Sequence, residues 1–203
     1  MDRLLQDLRF AVRLLWKDRN FAITTVATLA LCLAANVAIF AIVDGVLLKP
    51  LPFDQPDRLV RIYNKYPGAG VEIADNGVPD YFDRKRDMPA LEGIAMFRQT
   101  GVTISGSGLG EAERVQAMTV TPSFFHVLKV QPSRGQAFTD AQGEPGQEKV
   151  VILSYGFWQR VFGGRDDAIG QDLRLGGETH RVVGVMEPGF KFLNPEIQLY
   201  RPA

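Results

Sequence analysis

The stretch WQRVFGGRDDAIGQDLRLGGETHRVVGVM, residues 158–186, holds two Gly-Gly pairs between segments of different periodicity. Gly176-Gly177 separates LRL from THRVV, which predicts a tight hairpin whose turn needs positive φ. Gly163-Gly164 follows YGFWQRVF, a predicted helix that a left-handed glycine would end. A phosphate-binding loop needs its glycines after a strand and before a helix. Neither pair has that order, so we expect both to be turns.

Strand and helix patterns alternate on both sides of this stretch. The predicted strands are residues 59–63, 100–105, 114–121, 149–154, 171–175 and 179–186. The predicted helices are residues 78–87, 89–97, 122–129 and 155–162, and helix 122–129 is expected to bury Phe124, Phe125 and Leu128. Because strands and helices interleave with short loops, residues 47–203 are predicted to form an α+β or mixed α/β domain.

An uncharged run, FAITTVATLALCLAANVAIFAIV at residues 21–43, precedes this domain. As a helix it reaches about 34 Å, enough to cross the apolar core of a bilayer. A buried helix of a soluble protein is one alternative. A cleaved signal peptide is another, but it would have a shorter apolar region and no long segment before it. We interpret residues 21–46 as a transmembrane signal anchor.

The flanks of this run predict its orientation. Residues 1–20 have Leu4, Leu8, Ala11 and Leu15 at helical spacing, which indicates an amphipathic helix. That helix is expected to lie along the inner membrane face, although packing on the protein's own core is the alternative. Five basic residues precede the span and three occur in the twenty positions after it. The positive-inside rule therefore places the amino terminus in the cytoplasm and the residues after about Gly45 outside.

Two stripes at helical spacing run along the predicted span. The first consists of small residues that allow a second helix to approach closely: Ala30, Ala34, Ala38, Ala41 and Gly45. The second is more polar: Thr25, Thr28, Cys32 and Asn36. An asparagine near the middle of a membrane is costly unless it finds a partner. The span is therefore predicted to pack against other helices, yet the sequence has no second apolar run of this length.

Composition excludes several classes of function. The 23 basic and 23 acidic residues balance, so no overall charge attracts nucleic acid. The single cysteine, Cys32, lies in the predicted span, which leaves the outer domain without a disulfide framework, a thiol nucleophile or a thiolate metal site. No Gly-Lys-Ser/Thr and no G-x-S-x-G motif occurs. SGSGLGE, residues 105–111, departs from a dinucleotide fingerprint because Glu111 stands where the last glycine belongs.

The remaining polar candidates are better explained as structural groups. His126 and His180 have no partner in a recognisable catalytic motif. The three acids of one predicted helix face, Asp80, Asp83 and Asp87, alternate with basic residues, which favours a solvated, ion-paired face over a metal site. Asp166-Asp167 follows a helix end, where a cap for the next turn is expected. We predict no catalytic, cofactor-binding or metal-binding residues.

Three long segments resemble a known family. The segments are DGVLLKPLPFDQPDRLVRIY at residues 44–63, TPSFFHVLKVQPSRGQAFT at residues 121–139, and residues 150–192. They are similar to successive signatures of MacB-like, FtsX-like ABC transporter permeases, within the group called duplicated orphan permeases. The resemblance runs from the amphipathic start to nearly the last residue. One departure is GQAF at residues 135–138, where the family pattern has Gly-Arg.

The resemblance implies a mechanical role in the cell inner membrane. An amino-terminal transmembrane helix leads into a periplasmic core domain, residues 47–203, whose carboxyl end is expected to be incomplete. Such permeases work as a homodimer, or as a pseudo-dimer with a second permease half, and meet a separate ATP-binding subunit in the cytoplasm and in some cases a periplasmic partner protein. ATP is used by that subunit, so the chain itself needs no cofactor and no nucleic acid. Coupling of ATP hydrolysis to periplasmic change and substrate efflux is the implied function.

The sequence departs from these permeases in one large way, because no return helices follow EIQLYRPA, residues 196–203. We therefore expect the 203 residues to be a fragment of a longer permease. A stand-alone membrane-tethered periplasmic binding or sensory module is the alternative. A membrane-anchored hydrolase is a third hypothesis, which no visible nucleophile–base pair supports.

Overall fold

The computed structural model describes residues 6, 10, 13, 16–45, 53–106 and 111–203. The chain divides into two compact units, of which the first ends at residue 51 and the second begins at residue 52. In the first unit, helix α1 comprises Arg19–Val43. The predicted amphipathic helix 1–20 falls mostly outside the described residues, as do Gly108 and Gly110 of the glycine-rich SGSGLGE segment.

The second unit contains nine strands and three further helices within its described residues. The strands are β1 (Asn64–Tyr66), β2 (Val71–Ala74), β3 (Phe97–Ser105), β4 (Glu113–Val120), β5 (Arg134–Gly135), β6 (Val150–Leu153), β7 (Asp172–Leu175), β8 (Glu178–Val185) and β9 (Ile197–Pro202). The helices are α2 (Val78–Asp87), α3 (Phe124–Val127) and α4 (Tyr155–Phe162). The predicted mixed α+β class is confirmed.

Six of the strands close into a ring. The order is β8-β6-β9-β4-β3-β7, and β7 pairs again with β8. The first half of β8 pairs with β7 and its second half pairs with the short strand β5. The β6–β8 and β4–β9 pairs are parallel, whereas β6–β9, β3–β4, β3–β7 and β7–β8 are antiparallel. A closed ring leaves no long unpaired edge in the main sheet. Strands β1 and β2 form a separate antiparallel hairpin.

Two apolar layers cover the two faces of the main sheet. One layer packs Phe157, Trp158 and Phe162 of α4 against Val151 and other residues of the sheet. The other packs Phe124 and Phe125 of α3, with Leu128, against Met118, Ile152 and Tyr200. Strand β6 contributes to both layers, since Val151 and Leu153 point to one face and Ile152 to the other. The continuous apolar run in β6 is therefore explained by burial on both faces.

The glycine pairs are turns, as the sequence predicts. Leu175 pairs with Glu178 across the β7–β8 hairpin, and Gly176 and Gly177 form its loop with φ of 59° and 91°. Gly163 ends α4 in the left-handed conformation with φ of 60°. Ser154 begins α4 by accepting a hydrogen bond from the Phe157 N–H at 3.3 Å. Helices α2 and α4 have the bounds that were predicted.

Two predicted elements are wrong. Residues 59–63 are not a strand, and the pairing segment is instead β1, which follows them. Residues 89–97 are not a helix, because their backbone carbonyls accept hydrogen bonds from the residues just before α3 instead. The Thr121 N–H donates to the Met96 carbonyl at 3.0 Å, and the Ser123 hydroxyl donates to the Ile94 carbonyl at 2.8 Å. Strands β2, β5 and β9 were not predicted, although β9 lies between β4 and β6.

Candidate functional site

Helix α1 is long and apolar enough to cross a membrane by length and composition, and it is the one such helix in the part of the chain that the structure describes. Its 25 residues extend about 37 Å. No residue of the helix is buried within the chain. A largely apolar surface of this kind is expected where lipid or other helices surround a helix.

The two predicted stripes lie on opposite sides of α1. A helix turns about 100° per residue, so the centre of the small-residue stripe and that of the polar stripe are about 165° apart. Eight of the nine predicted residues lie within α1, and Gly45 lies two residues past its end. The structure therefore places the small residues and the polar residues on separate faces. The packing of either face against other helices stays a prediction.

Polar side chains of α1 bond to the helix's own backbone. The Asn36 side-chain amide donates to the Cys32 carbonyl at 2.9 Å, and the Thr28 hydroxyl donates to the Thr24 carbonyl at 2.8 Å. Thr24, which was not among the predicted polar residues, donates to the Asn20 carbonyl at 2.9 Å. Such bonds to the preceding turn lower the cost of a hydroxyl or amide in an apolar medium. The second donor hydrogen and the oxygen of Asn36 stay available to a neighbouring helix.

The two histidines lie on different elements of the second unit, His126 on α3 and His180 on β8. His180 is 3% exposed, and its Nδ1 lies 3.2 Å from the Glu178 carbonyl oxygen. His126 is exposed on α3. Hydrogen bonds from backbone N–H groups, and then the nearby charge of Lys149, lower the pKa of the Glu148 carboxyl group. His180 is thus a satisfied interior histidine, as the sequence indicates.

The three acids of α2 serve separate contacts. Asp80 accepts from the Gly77 N–H at 2.8 Å and from the Asn64 side-chain amide at 2.7 Å, and these two bonds hold the pKa of its carboxyl group below the usual range. Asp83 and Asp87 both pair with Arg86, at 3.1 and 2.7 Å. The Arg86 bond also lowers the pKa of the Asp87 carboxyl group. The predicted ion pairing is confirmed for Asp83 and Asp87, whereas Asp80 accepts its hydrogen bonds from uncharged donors.

Arg84 completes a polar network inside the small β1–β2–α2 region. Its guanidinium donates to the Asn64 side-chain oxygen at 2.5 Å and also to the Asn76 side chain. The Asn76 amide in turn donates to the Ile62 carbonyl at 2.6 Å. This network joins β1, α2 and the segment before β1 through side chains that sequence reasoning did not single out.

The predicted cap at Asp166-Asp167 is wrong. A 3₁₀ turn, Asp166–Ala168, does follow α4, but its first residue is preceded by Arg165 and no side chain caps it. Asp166 instead pairs with Arg134 at 2.6 Å, and Asp167 pairs with Arg165 at 3.3 Å. The Arg134 guanidinium also lies 4.6 Å from the centre of the Trp158 ring. Asp166 thus pairs with an arginine that packs on the core residue Trp158, whereas Asp167 and Arg165 form an exposed pair.

A family model gives the chain its assignment. The model described as the MacB-like periplasmic core domain matches residues 22–202. The chain belongs to this family. The match begins inside α1 and ends on the last residue of β9, so the apolar helix and the closed sheet fall within one family unit. The MacB-like family consists of periplasmic domains of ABC transporter permeases, which are not themselves enzymes. No curated protein sequence matches the chain.

Several solved structures are similar to this MacB-like chain, and two of them serve as examples. One is the extracellular domain of the noncanonic ABC-type transporter YknZ from Gram-positive bacteria, with 18% identity, a TM-score of 0.50 and coverage of 61% of this chain and 60% of that one. The other is the periplasmic region of MacB from Actinobacillus actinomycetemcomitans, with 13% identity, a TM-score of 0.49 and coverage of 69% and 61%. At 18% identity the first likeness shows the fold alone. The chain spans about three-fifths of the length of each.

Proposed function

We propose that the chain is the membrane-anchored periplasmic core region of an ABC transporter permease. In this role it couples ATP hydrolysis by a separate cytoplasmic subunit to conformational change in the periplasm and to substrate efflux. The observation that carries the proposal is the family match over residues 22–202, which includes most of α1 together with the whole closed sheet. A membrane helix joined covalently to a rigid domain transmits movement without a reaction of its own.

The rigidity of the outer domain supports a mechanical role. The closed ring joins β3, β4, β6, β7, β8 and β9 through backbone hydrogen bonds, and both faces of the sheet are packed by aromatic residues. Closely packed interiors deform little and transmit strain. Two of its polar groups are engaged in structural contacts, since Asp80 accepts a hydrogen bond from the Gly77 N–H and the His180 ring lies beside the Glu178 carbonyl.

The arrangement in the inner membrane follows from α1 and its flanks. We place residues 1–20 in the cytoplasm, residues 21–46 in the membrane and residues 47–203 in the periplasm, because the basic residues concentrate before α1. The small-residue stripe that starts at Ala30 gives a second permease copy, or a second permease half, a surface for close approach. The polar face with Asn36 is available to other permease helices, and a periplasmic partner protein would meet the outer domain.

Complex formation with an ATPase tests the proposal. The full gene product is tagged, purified from its native membranes in a mild detergent, and assayed for vanadate-sensitive ATP hydrolysis by the proteins that purify with it. We expect hydrolysis, which the chain cannot supply by itself. Purification without any ATPase, in native membranes where the protein is folded, would contradict the proposed coupling and favour a stand-alone tethered module.

A matched pair of substitutions tests the role of α1. Ala34→Leu blocks the centre of the small-residue stripe, whereas Ala35→Leu makes the same change about 100° around the helix. We expect Ala34→Leu to reduce disulfide crosslinking between copies that carry a cysteine at Ala38, in a Cys32→Ser background. Ala35→Leu leaves crosslinking near the parental level. Equal effects of the two substitutions would mean that the stripe is not a packing surface.

A further inference from the structure

Three adjacent strands of the closed sheet place two arginines on either side of one threonine. Arg98 in β3 pairs in register with Thr119 in β4, and Thr119 pairs with Arg201 in β9. Residues that pair in register point to the same face of a sheet. Neighbouring strands are about 4.8 Å apart, so the backbones at the two arginines are about 10 Å apart. Both guanidinium groups can therefore reach one small ligand above Thr119.

The two arginines have no acidic partner among the residues that the structure describes. Arg201 is half-buried, and its Nε donates to the Thr119 hydroxyl at 3.0 Å. That bond orients the guanidinium and leaves its terminal N–H groups available. The acidic residue on the same face of β4 is Glu113, which is about 20 Å away along the strand and pairs with Arg160 at 2.7 Å.

A buried hydroxyl next to these arginines also lacks a partner. Thr100 lies two residues after Arg98, on the same face of β3, and its Oγ1 is buried without a hydrogen bond. Thr119 accepts from Arg201, so its own hydroxyl hydrogen is available to donate. The register thus places two arginines on either side of the Thr119 hydroxyl, with the buried Thr100 hydroxyl on the same face of the neighbouring strand. A ligand that satisfies all of them carries negative charge and several acceptor oxygens.

We propose that Arg98, Thr100, Thr119 and Arg201 form a binding site for a phosphate group. A tetrahedral phosphate offers acceptor oxygens in more directions than a planar carboxylate, which suits donors that come from three strands. The group could belong to free phosphate or to a phosphodiester such as a lipid headgroup. This site is independent of the proposed coupling to an ATPase, since the outer domain would bind the phosphate group with or without a cytoplasmic partner.

The thermal stability of the purified full chain in detergent tests the site. Inorganic phosphate, dimethyl phosphate and acetate are titrated at constant ionic strength. We expect a saturable rise of the Tm with phosphate, because a ligand that binds the folded state stabilises it. A comparable rise with dimethyl phosphate identifies a phosphodiester as the source, and a rise with inorganic phosphate alone identifies free phosphate. No saturable rise with either, or an equal rise with acetate, overturns the proposal.

Substitutions locate the binding to these strands. Arg98→Gln removes an exposed guanidinium, so the fold is retained, and we expect the phosphate affinity to fall about tenfold. Arg98→Gln with Arg201→Gln abolishes binding. Arg114→Gln is the matched control, since Arg114 is an exposed arginine of β4 that points to the opposite face and lies over Gly101. Phosphate affinity that is unchanged in Arg98→Gln, or reduced equally in Arg114→Gln, overturns the site.

Discussion

Gly135 of β5 lies directly against Gly184 of β8. The two are register partners, and a Cβ on Gly135 would lie 2.1 Å from the Val183 carbonyl oxygen and 2.8 Å from the Gly184 Cα. Gly135 also has a φ of 73°, which strains residues with a side chain. The attachment of β5 to the closed sheet therefore depends on glycine at both positions.

Gly135→Ala is expected to lower the free energy of unfolding by at least about 2 kcal/mol, since it adds a backbone clash to left-handed strain. Gly146→Ala is the control. Gly146 also has a positive φ, 88°, but nothing lies within 4 Å of its added Cβ, so about 1 kcal/mol of strain is expected. Urea denaturation followed by tryptophan fluorescence measures both. Equal losses would show that the close approach of β5 and β8 does not limit stability.

The hydrogen bonds to Asp80 predict that the stability of the β1–β2–α2 region falls at acidic pH. The pKa of the Asp80 carboxyl group is lowered from 3.8, first by the hydrogen bond from Gly77 and next by the one from Asn64. A carboxyl group whose pKa is lower in the folded state stabilises the fold at pH values above the pKa of the unfolded state. This stabilisation is lost as the pH falls through the pKa of the folded state. The β1–β2–α2 region is therefore expected to loosen below about pH 3.8. Amide hydrogen exchange in residues 64–87 measures this.

Asp80→Asn provides the comparison, because it removes the titrating group and keeps a side-chain oxygen for the Gly77 N–H. The acid-dependent increase in exchange should disappear in this variant and persist in Asp75→Asn. If Asp80→Asn and the parent chain show the same acid dependence, another carboxyl group controls the region.

The buried phenol of Tyr200 predicts that the stability of the domain falls at alkaline pH. Burial between the aromatic rings of Phe124, Phe125 and Phe190 raises the pKa of its phenol above 10. Because the pKa of this phenol is higher in the folded state, burial of Tyr200 stabilises the fold fully at pH values below the pKa of the unfolded state, about 10. The stabilisation is lost as the pH rises above that value. Tyr200 should resist ionisation in a spectrophotometric titration until the domain unfolds. Tyr200→Phe should remove that step, and its persistence would exclude Tyr200 as its source.

The proposed orientation is testable by labelling. Single cysteines at Lys17 and Glu144, both exposed, are introduced into a Cys32→Ser chain. In spheroplasts, a membrane-impermeant maleimide is expected to label Glu144→Cys and to reach Lys17→Cys after permeabilisation. The reverse pattern would invert the orientation, and labelling of both without permeabilisation would mean that α1 does not span the membrane.

Local patterns predicted the elements whose neighbours in the chain determine them. Helix α4 begins at a serine cap and ends at a left-handed glycine, so its bounds follow from a few adjacent residues. The β7–β8 hairpin follows in the same way from Gly176-Gly177. The family resemblance was also available from sequence, since its motifs are long and ordered.

Elements that depend on distant partners were missed. Residues 197–202 form a strand because β4 and β6 pair with them on both sides, and their register partners lie between 46 and 82 residues earlier in the chain, from Leu153↔Leu199 to Val120↔Pro202. Residues 89–97 read as a helix, but Thr121 and Ser123 provide hydrogen-bond partners for their backbone. The row of Arg98, Thr119 and Arg201 likewise exists only in the register of three strands.

In the orientation proposed above, the central place of β9 sets an order of events during export. An exported chain would deliver strands β4 and β6 before residues 197–202, and until β9 arrives each of the two strands presents an open edge where β9 pairs. Exposed edges and uncovered apolar side chains invite aggregation and proteolysis. The newly exported domain is thus most vulnerable in the interval between translocation of β4 and arrival of β9, and periplasmic chaperones would be needed most in that interval.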